Sequence, residues 1–268
     1  MQTLKETGLK EVQAVYGGAE GDLWELIMGQ QIHIGGFASS VDLAEKARIA
    51  AGSRGVDLCC CNGAGMRFLL RFRGVAQMTG VDATPQVLAR GYERNRAEGV
   101  ANRIRFIEAD VCATGLPAGE ADFVWGEDAW CYVADKRALI AEAMRLLRPG
   151  GTLAFTDWVE GATGLSPAEA ERFMRFMKFP TFATLGDYSE LIEAAGGRVE
   201  QAADTGRYAP CIDLYLQMLT KQLTSDALRI IGYDMPLFQA LGGEMGFAQQ
   251  LAHAGKIVQG LFVACKPS

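Results

Sequence analysis

The sequence predicts an α/β fold built on a doubly wound, mostly parallel sheet, and three observations carry that reading. From residue 55 onward, short apolar runs of strand length alternate with longer runs of helical pattern, which is how strands joined by crossover helices are written. The first run, Gly55-Val56-Asp57-Leu58, passes into the small-residue turn Cys59-Cys60-Cys61-Asn62-Gly63-Ala64-Gly65 and then into a helix. Such a turn lets the backbone approach a ligand, and the helix behind it offers free N–H groups. Finally, acidic residues recur at strand ends: Asp82 closes the second run in Gly80-Val81-Asp82-Ala83, and Asp110 follows the third.

In order along the chain, strands are expected at 55–60, 76–82, 104–108, 122–126 and 152–157, with helices at 64–72, 85–98 and 136–147. Pro85 suits a first helical turn, with Thr84 as its N-cap. Arg148-Pro149-Gly150-Gly151 ends the third helix and turns the chain into the fifth strand. Residues 1–50 read as a helical cap broken at Gly17-Gly18 and again over 29–37. Residues 51–160 form the ligand-binding core. Residues 161–268 add helices and the last strands: a helix at 188–195, a strand-like run at 197–207, helices to about 255 and a closing strand at 256–266. Segments 160–186 and 208–254 interrupt the alternation and are expected to form a lid over the strand ends, where open α/β sheets bind ligands.

Composition narrows the partners. With 268 residues, 49% of them hydrophobic, the chain can bury a large core. A net charge of −6 and a pI near 5.1 argue against nucleic acid or an anionic membrane surface as partner. No apolar run approaches the roughly 20 residues that span a bilayer, and residues 1–11 lack the apolar core of a signal peptide. Seven cysteines, three contiguous, make no disulfide framework, and with no leader in view they suit a cytoplasmic location. Zinc needs four ligands at recognisable spacing, so no metal is expected and the cysteine cluster reads as buried and inert.

The turn lacks both the Gly-x-Gly-x-x-Gly dinucleotide fingerprint and the P-loop lysine. What stands there is Asp57-x-Cys59-x-Cys61-x-Gly63, which resembles the Asp-x-Gly-x-Gly-x-Gly turn of class I S-adenosylmethionine methyltransferases, with cysteine at two glycine positions. The ordered set Asp57, Gly63, Asp82, Asp110, Glu127 and Arg148-Pro149-Gly150-Gly151 extends the resemblance over residues 40–160. Gln31-Ile32-His33-Ile34-Gly35, Trp125-Gly126-Glu127-Asp128-Ala129 with Asp135-Lys136, and Ala254-Gly255-Lys256 before Gly260-Leu261-Phe262 are similar to the sarcosine/dimethylglycine N-methyltransferase branch, itself related to the cyclopropane synthases. The resemblance implies a seven-stranded sheet with an antiparallel last strand, S-adenosylmethionine as methyl donor, and a small-molecule acceptor, first of all an amine, under a helical lid. By position it assigns Tyr16, Ile32 and His33 to the methionine end of the cofactor, with Asp57, Cys59, Cys61 and Gly63 at the turn. Either both cysteine side chains point away from the cofactor or the turn is displaced.

For the remaining roles, Asp82 with Ala83 is suited to the ribose diol, Asp110 with Val111 to the adenine edge, and Glu127 to the positive methionine end. His33 and Asp128 are the candidate bases, since an amine must be neutral to attack. Trp130 and Tyr132 are expected to line the acceptor pocket, joined by Phe176 and Met177 from the lid, with Arg207 (or Arg172, Arg175 and Lys178) to hold an acceptor carboxylate. The aromatic and methionine stripe over 173–182 reads first as ordinary core, with a pocket wall or a homodimer face as the alternatives. His253 reads as a surface or C-terminal capping residue. Tyr132-x-x-x-Lys136 matches the catalytic pair of short-chain dehydrogenases, but the glycine turn and upstream serine of those enzymes are missing. Two alternatives stand: a larger apolar acceptor methylated at carbon or oxygen, or a cofactor-binding protein without turnover.

Overall fold

The computed structural model describes residues 1–4 and 7–268; the part of the helical cap at residues 5–6 lies outside them. Strand β1 (Gln2–Thr3) and helices α1 (Leu9–Tyr16), α2 (Ala19–Met28) and α3 (Gly36–Lys46) precede β2 (Arg54–Leu58), the first strand of the main sheet. Then come α4 (Ala64–Phe72), β3 (Gln77–Asp82), α5 (Pro85–Ala97), β4 (Ile104–Glu108), β5 (Ala121–Glu127), a 3-10 turn at Trp130–Tyr132, α6 (Lys136–Leu146) and β6 (Leu147–Glu160). The last part holds α7 (Pro167–Met177), β7 (Thr181–Phe182), α8 (Leu185–Ala194), β8 (Arg198–Asp204), α9 (Tyr208–Lys221), α10 (Thr224–Ile230), α11 (Met235–His253) and β9 (Ile257–Cys265).

Seven strands pair in the order β4-β3-β2-β5-β6-β9-β8, parallel from β4 to β6, with β9 antiparallel to both its neighbours. The chain runs outward from β2 to β4, returns to the other side of β2 and runs outward again. The reversal lies between β2 and β5, so the loops leaving these two strands open a crevice at their carboxyl ends. β6 is longer than the expected 152–157: it starts at Leu147 and extends to Glu160, since β9 offers a partner along nine residues, Thr152 to Glu160. A separate two-stranded sheet pairs Gln2 with Phe182 and Thr3 with Thr181, tying the start of the chain to the lid. That contact spans about 180 residues and has no local signature.

Local chemistry sets several helix starts. Ser166 and Glu169 form a capping box ahead of α7, Thr184 and Asp187 another ahead of α8, and the Asp135 side chain accepts from Ala138 N at 2.9 Å. Thr84 occupies the N-cap of α5, but its side chain does not cap; instead Asp82 accepts the Thr84 N–H at 2.9 Å.

Apolar packing falls into three clusters. One face of the sheet meets α6 and α8 through Leu139, Ile140, Phe155, Tyr188 and Phe262; the other meets α3, α4 and α5 through Leu43, Phe68, Leu69, Leu88 and Trp125. The third cluster belongs to the lid. Trp24, Trp158, Phe173, Met174, Met177, Phe179, Phe182, Tyr208 and Met245 bury one another there. The aromatic and methionine stripe is therefore mainly the core of a second layer over the strand ends.

Candidate active site

A cavity of about 410 Å³ opens in the crevice between the ends of β2, β3, β4 and β5, helix α1 and the segment Gln30–His33 that follows α2. Its floor is the turn after β2. Cys59 and Cys61 adopt left-handed conformations (φ 62° and 49°), the region where glycine sits without strain. Both line the cavity. The turn thus runs through the left-handed region that glycine favours, with both cysteines at the cavity wall. It holds because its N–H groups are used: Cys59 and Cys60 donate to Val81 O at 2.9 and 3.1 Å, and Cys61 to the Asp82 carboxylate at 2.9 Å. Burial and the nearby carboxylates push the Cys59 and Cys60 thiols well up and Cys61 to about 12, so all three stay protonated near neutrality. Gly63 is in the left-handed region too, yet does not line the cavity; a Cβ there would meet Phe106 at 2.7 Å, so its requirement is packing.

The carboxylates converge. Asp57, Asp82, Asp110, Glu127 and Asp128 all line the cavity. Each Asp82 oxygen accepts one backbone N–H, from Cys61 and from Thr84, which leaves lone pairs for a diol. Burial, with Glu127 and Asp82 close by, holds Asp57 well above the usual carboxylate range. A bound cation would relieve that repulsion. Gly65 in the first turn of α4 lets these groups approach: a Cβ there would lie 2.4 Å from Glu127 Oε2. Asp110 accepts Cys112 N at 2.8 Å, and Val111, Cys112 and Val87 complete that end of the cavity.

The opposite end is formed by Leu9, Val12 and Tyr16 from α1, by Ile32 and His33, and by Tyr132 and Val133. Tyr16 donates to the Tyr132 hydroxyl at 2.8 Å, the rings meeting edge to face at 5.3 Å. Gln13 reaches from α1 to the Ala83 carbonyl. His33 Nε2 is 3.2 Å from Ser40 Oγ and 3.4 Å from Glu127 Oε1, and Ser40 donates to the same carboxylate oxygen at 2.6 Å. His33 Nδ1 is buried without a partner among the described residues. Asp128 lies beneath this segment at φ 50° and accepts from Ile34 N and Gln259 Nε2, both at 2.8 Å, which makes it first a support of the His33 turn.

Four residues expected at the acceptor do not line the cavity. Trp130 is fully buried, its Nε1 donating to Leu58 O at 3.0 Å and its ring stacked 4.1 Å from Phe155. Phe176 and Met177 pack into the lid core, because their face of α7 meets the third cluster. Arg207 pairs with Asp42 and so ties α9 to α3. The other nominated cations are engaged elsewhere too: Arg172 with Glu244, Arg175 with Glu171, and Lys178 with the Arg175 carbonyl. Among the described residues, no lysine or arginine lines the cavity.

Ser40, Gln259, Leu9 and Val12 were not singled out from the sequence, and Gly65 was read only as part of the small-residue turn. Ser40 meets Glu127 across 87 residues and Gln259 meets Ile34 across 225, so no local spacing marks them.

The comparisons with known proteins agree with this geometry. A family model described as a methyltransferase domain matches residues 56–155, the segment from β2 into β6 that carries every strand-end acid of the cavity. Methyltransferase GfsG of Streptomyces halstedii is 28% identical over 73% of this chain and 74% of its own length. The 27-O-demethylrifamycin SV methyltransferase of Amycolatopsis mediterranei is 29% identical over 71% and 75%. Among solved structures, one described as a sarcosine dimethylglycine methyltransferase from Galdieria sulphuraria superimposes with a TM-score of 0.76 at 22% identity, covering 87% of this chain and 86% of that one, a likeness of fold. The crevice, with its ring of acids, its open diol-binding lone pairs and its glycine-like turn, fits S-adenosylmethionine. Residues 56–155 match a methyltransferase domain, and the protein is an S-adenosylmethionine-dependent methyltransferase that acts on a small molecule.

Proposed function

We propose that the acceptor is an uncharged, hydroxyl-bearing molecule with a largely apolar body, methylated at oxygen. The observation that carries this is the absence of any lysine or arginine from the described cavity lining, together with the apolar acceptor end built from Leu9, Val12, Ile32 and Val133. Sarcosine and similar amines carry a carboxylate, and a buried carboxylate without a cationic partner is costly. An apolar wall with a few hydroxyls suits a neutral acceptor instead. The relative that acts on 27-O-demethylrifamycin SV supports the same chemistry.

Bound S-adenosylmethionine supplies an electrophilic methyl on sulfonium. Asp82 holds the ribose diol, Asp110 the adenine amino group, and Asp57 and Glu127 face the positive end. Tyr16 and Tyr132 close the wall, hold the acceptor oxygen in line with the methyl and exclude water. His33 Nδ1, buried without a partner among the described residues, would take the hydroxyl proton that methyl transfer releases. The Glu127 carboxylate beside Nε2 stabilises the resulting imidazolium.

Labelled S-adenosylmethionine tests this against two panels: carboxylate-bearing amines (glycine, sarcosine, dimethylglycine) and neutral hydroxyl compounds (phenols, hydroquinones, macrocyclic alcohols). Ether products from the second panel, with turnover in His33→Gln reduced about 10²–10⁴-fold, support the reading. Turnover on the amines overturns it.

A further inference from the structure

Lys136 is an unusual first residue for a helix. It opens α6, where the helix dipole disfavours a cation, and it is 2% exposed. The buried Asp157 carboxylate attracts its ammonium, but less than burial penalises it. Burial accordingly lowers its pKa. Such a group costs stability unless its hydrogen bonds are complete, and here they are. Its three protons go to Val133 O at 2.7 Å, Thr181 Oγ1 at 2.7 Å and Cys131 O at 3.4 Å. Thr181 in turn donates to Val133 O at 3.1 Å, and Asp157, fully buried on β6, accepts the Cys131 N–H at 3.0 Å. The turn that carries Tyr132 is therefore gripped through its backbone on both sides. Thr181 belongs to β7, whose partner β1 leads through the chain to α1 and Tyr16.

We propose that Lys136 is a positioning residue of the acceptor wall: its buried ammonium ties the Cys131–Val133 turn to lid strand β7 and so sets Tyr132 against Tyr16. The proposal rests on the reading above that this wall meets the acceptor. Lys136 touches no substrate itself; it acts through Tyr132.

The experiment needs no acceptor, so its failure is distinct from failure of the methylation reading. The seven tyrosines are labelled as 3-fluorotyrosine, and fluorine NMR lines for positions 16 and 132 are assigned with Tyr16→Phe and Tyr132→Phe. Lys136→Met should move or split the lines of both Tyr132 and Tyr16 while those of the exposed Tyr92 and Tyr233 hold. S-adenosylhomocysteine affinity should stay within threefold by calorimetry. Thr181→Val, which removes one partner and leaves the lysine in place, should move the same two lines by less. Unchanged lines at 16 and 132 in both variants overturn the proposal, as does a shift of all seven with lost cofactor affinity in both, which marks general disruption. Should Lys136→Met fail to fold, Thr181→Val alone decides.

Discussion

On the sheet side of the cavity the wall is largely backbone and carboxylate, placed by the ends of four parallel strands. Across from it stand side chains of the N-terminal segment, Leu9 to His33; among the described residues the lid lines none of the cavity and packs side chain on side chain in a core of its own. Cys59 and Cys61 stand on the sheet side where glycines are usual in the family it resembles, and the turn keeps its conformation because Val81 O and Asp82 hold its N–H groups. The lid has no such ladder. Its position comes from an aromatic and methionine cluster, from Arg207–Asp42 and from the two-residue pairing of β1 with β7. A backbone wall tolerates changes of side chain as long as the path is kept, so one cofactor site survives many sequences. A packed wall shifts with each substitution, and there specificity diverges.

That contrast can be broken at several points. The largest effect is expected at Asp82. Asp82→Ala removes two charge-assisted hydrogen bonds to a ribose, about 1.5–3 kcal/mol each, so calorimetry with S-adenosylhomocysteine should show an affinity loss of roughly two to four orders of magnitude. Unchanged binding in a folded variant would show that the strand-end acid does not hold the cofactor.

Met177 tests the other side. It is 5% exposed in the lid cluster, and Met177→Ala should lower unfolding free energy by about 2–5 kcal/mol in a denaturant titration, with cofactor affinity of the folded protein unchanged. A loss of cofactor or acceptor binding without a loss of stability would return Met177 to the site.

A smaller change, of opposite sign, is expected in the turn. A non-glycine residue in the left-handed region costs about 1–2 kcal/mol, and glycine returns roughly half of that gain through the freer unfolded chain. Cys59→Gly and Cys61→Gly should each range from neutral to about 1 kcal/mol stabilising, with cofactor binding kept. Clear destabilisation in thermal melts would mean that the cysteine side chains contribute packing that the backbone argument omits.

The smallest effect concerns acid. Glu169 accepts both Ser166 N and the Lys256 ammonium, and these partners lower its pKa to about 2. A carboxylate depressed in the folded state adds stability above its ordinary pKa near 4.5, and that contribution is lost as pH falls toward 2. Glu169→Gln should flatten this part of the stability–pH curve and leave the neutral plateau only slightly lower. An unchanged acid limb would show that the lid's capping box carries no pH dependence.

What the sequence determined by itself is the order of strand, turn and helix from residue 55 to 160, the acids at the strand ends and, through the family resemblance, the cofactor. These are local properties: an apolar run, a small-residue turn and a carboxylate at or just past a strand end need only the backbone between them to be placed. Which side chains face the acceptor was decided by the tertiary structure. Arg207 looked free until Asp42, 165 residues away, took it. Trp130 follows the strand as a pocket residue should, yet turns inward to Leu58 O. Ser40, His33 and Glu127 meet only because α3 crosses the end of β5, and Lys136 matters only because Thr181 lies over it. A side chain's partner across a hundred residues is set by how the layers pack, and packing is a property of the whole core rather than of any segment.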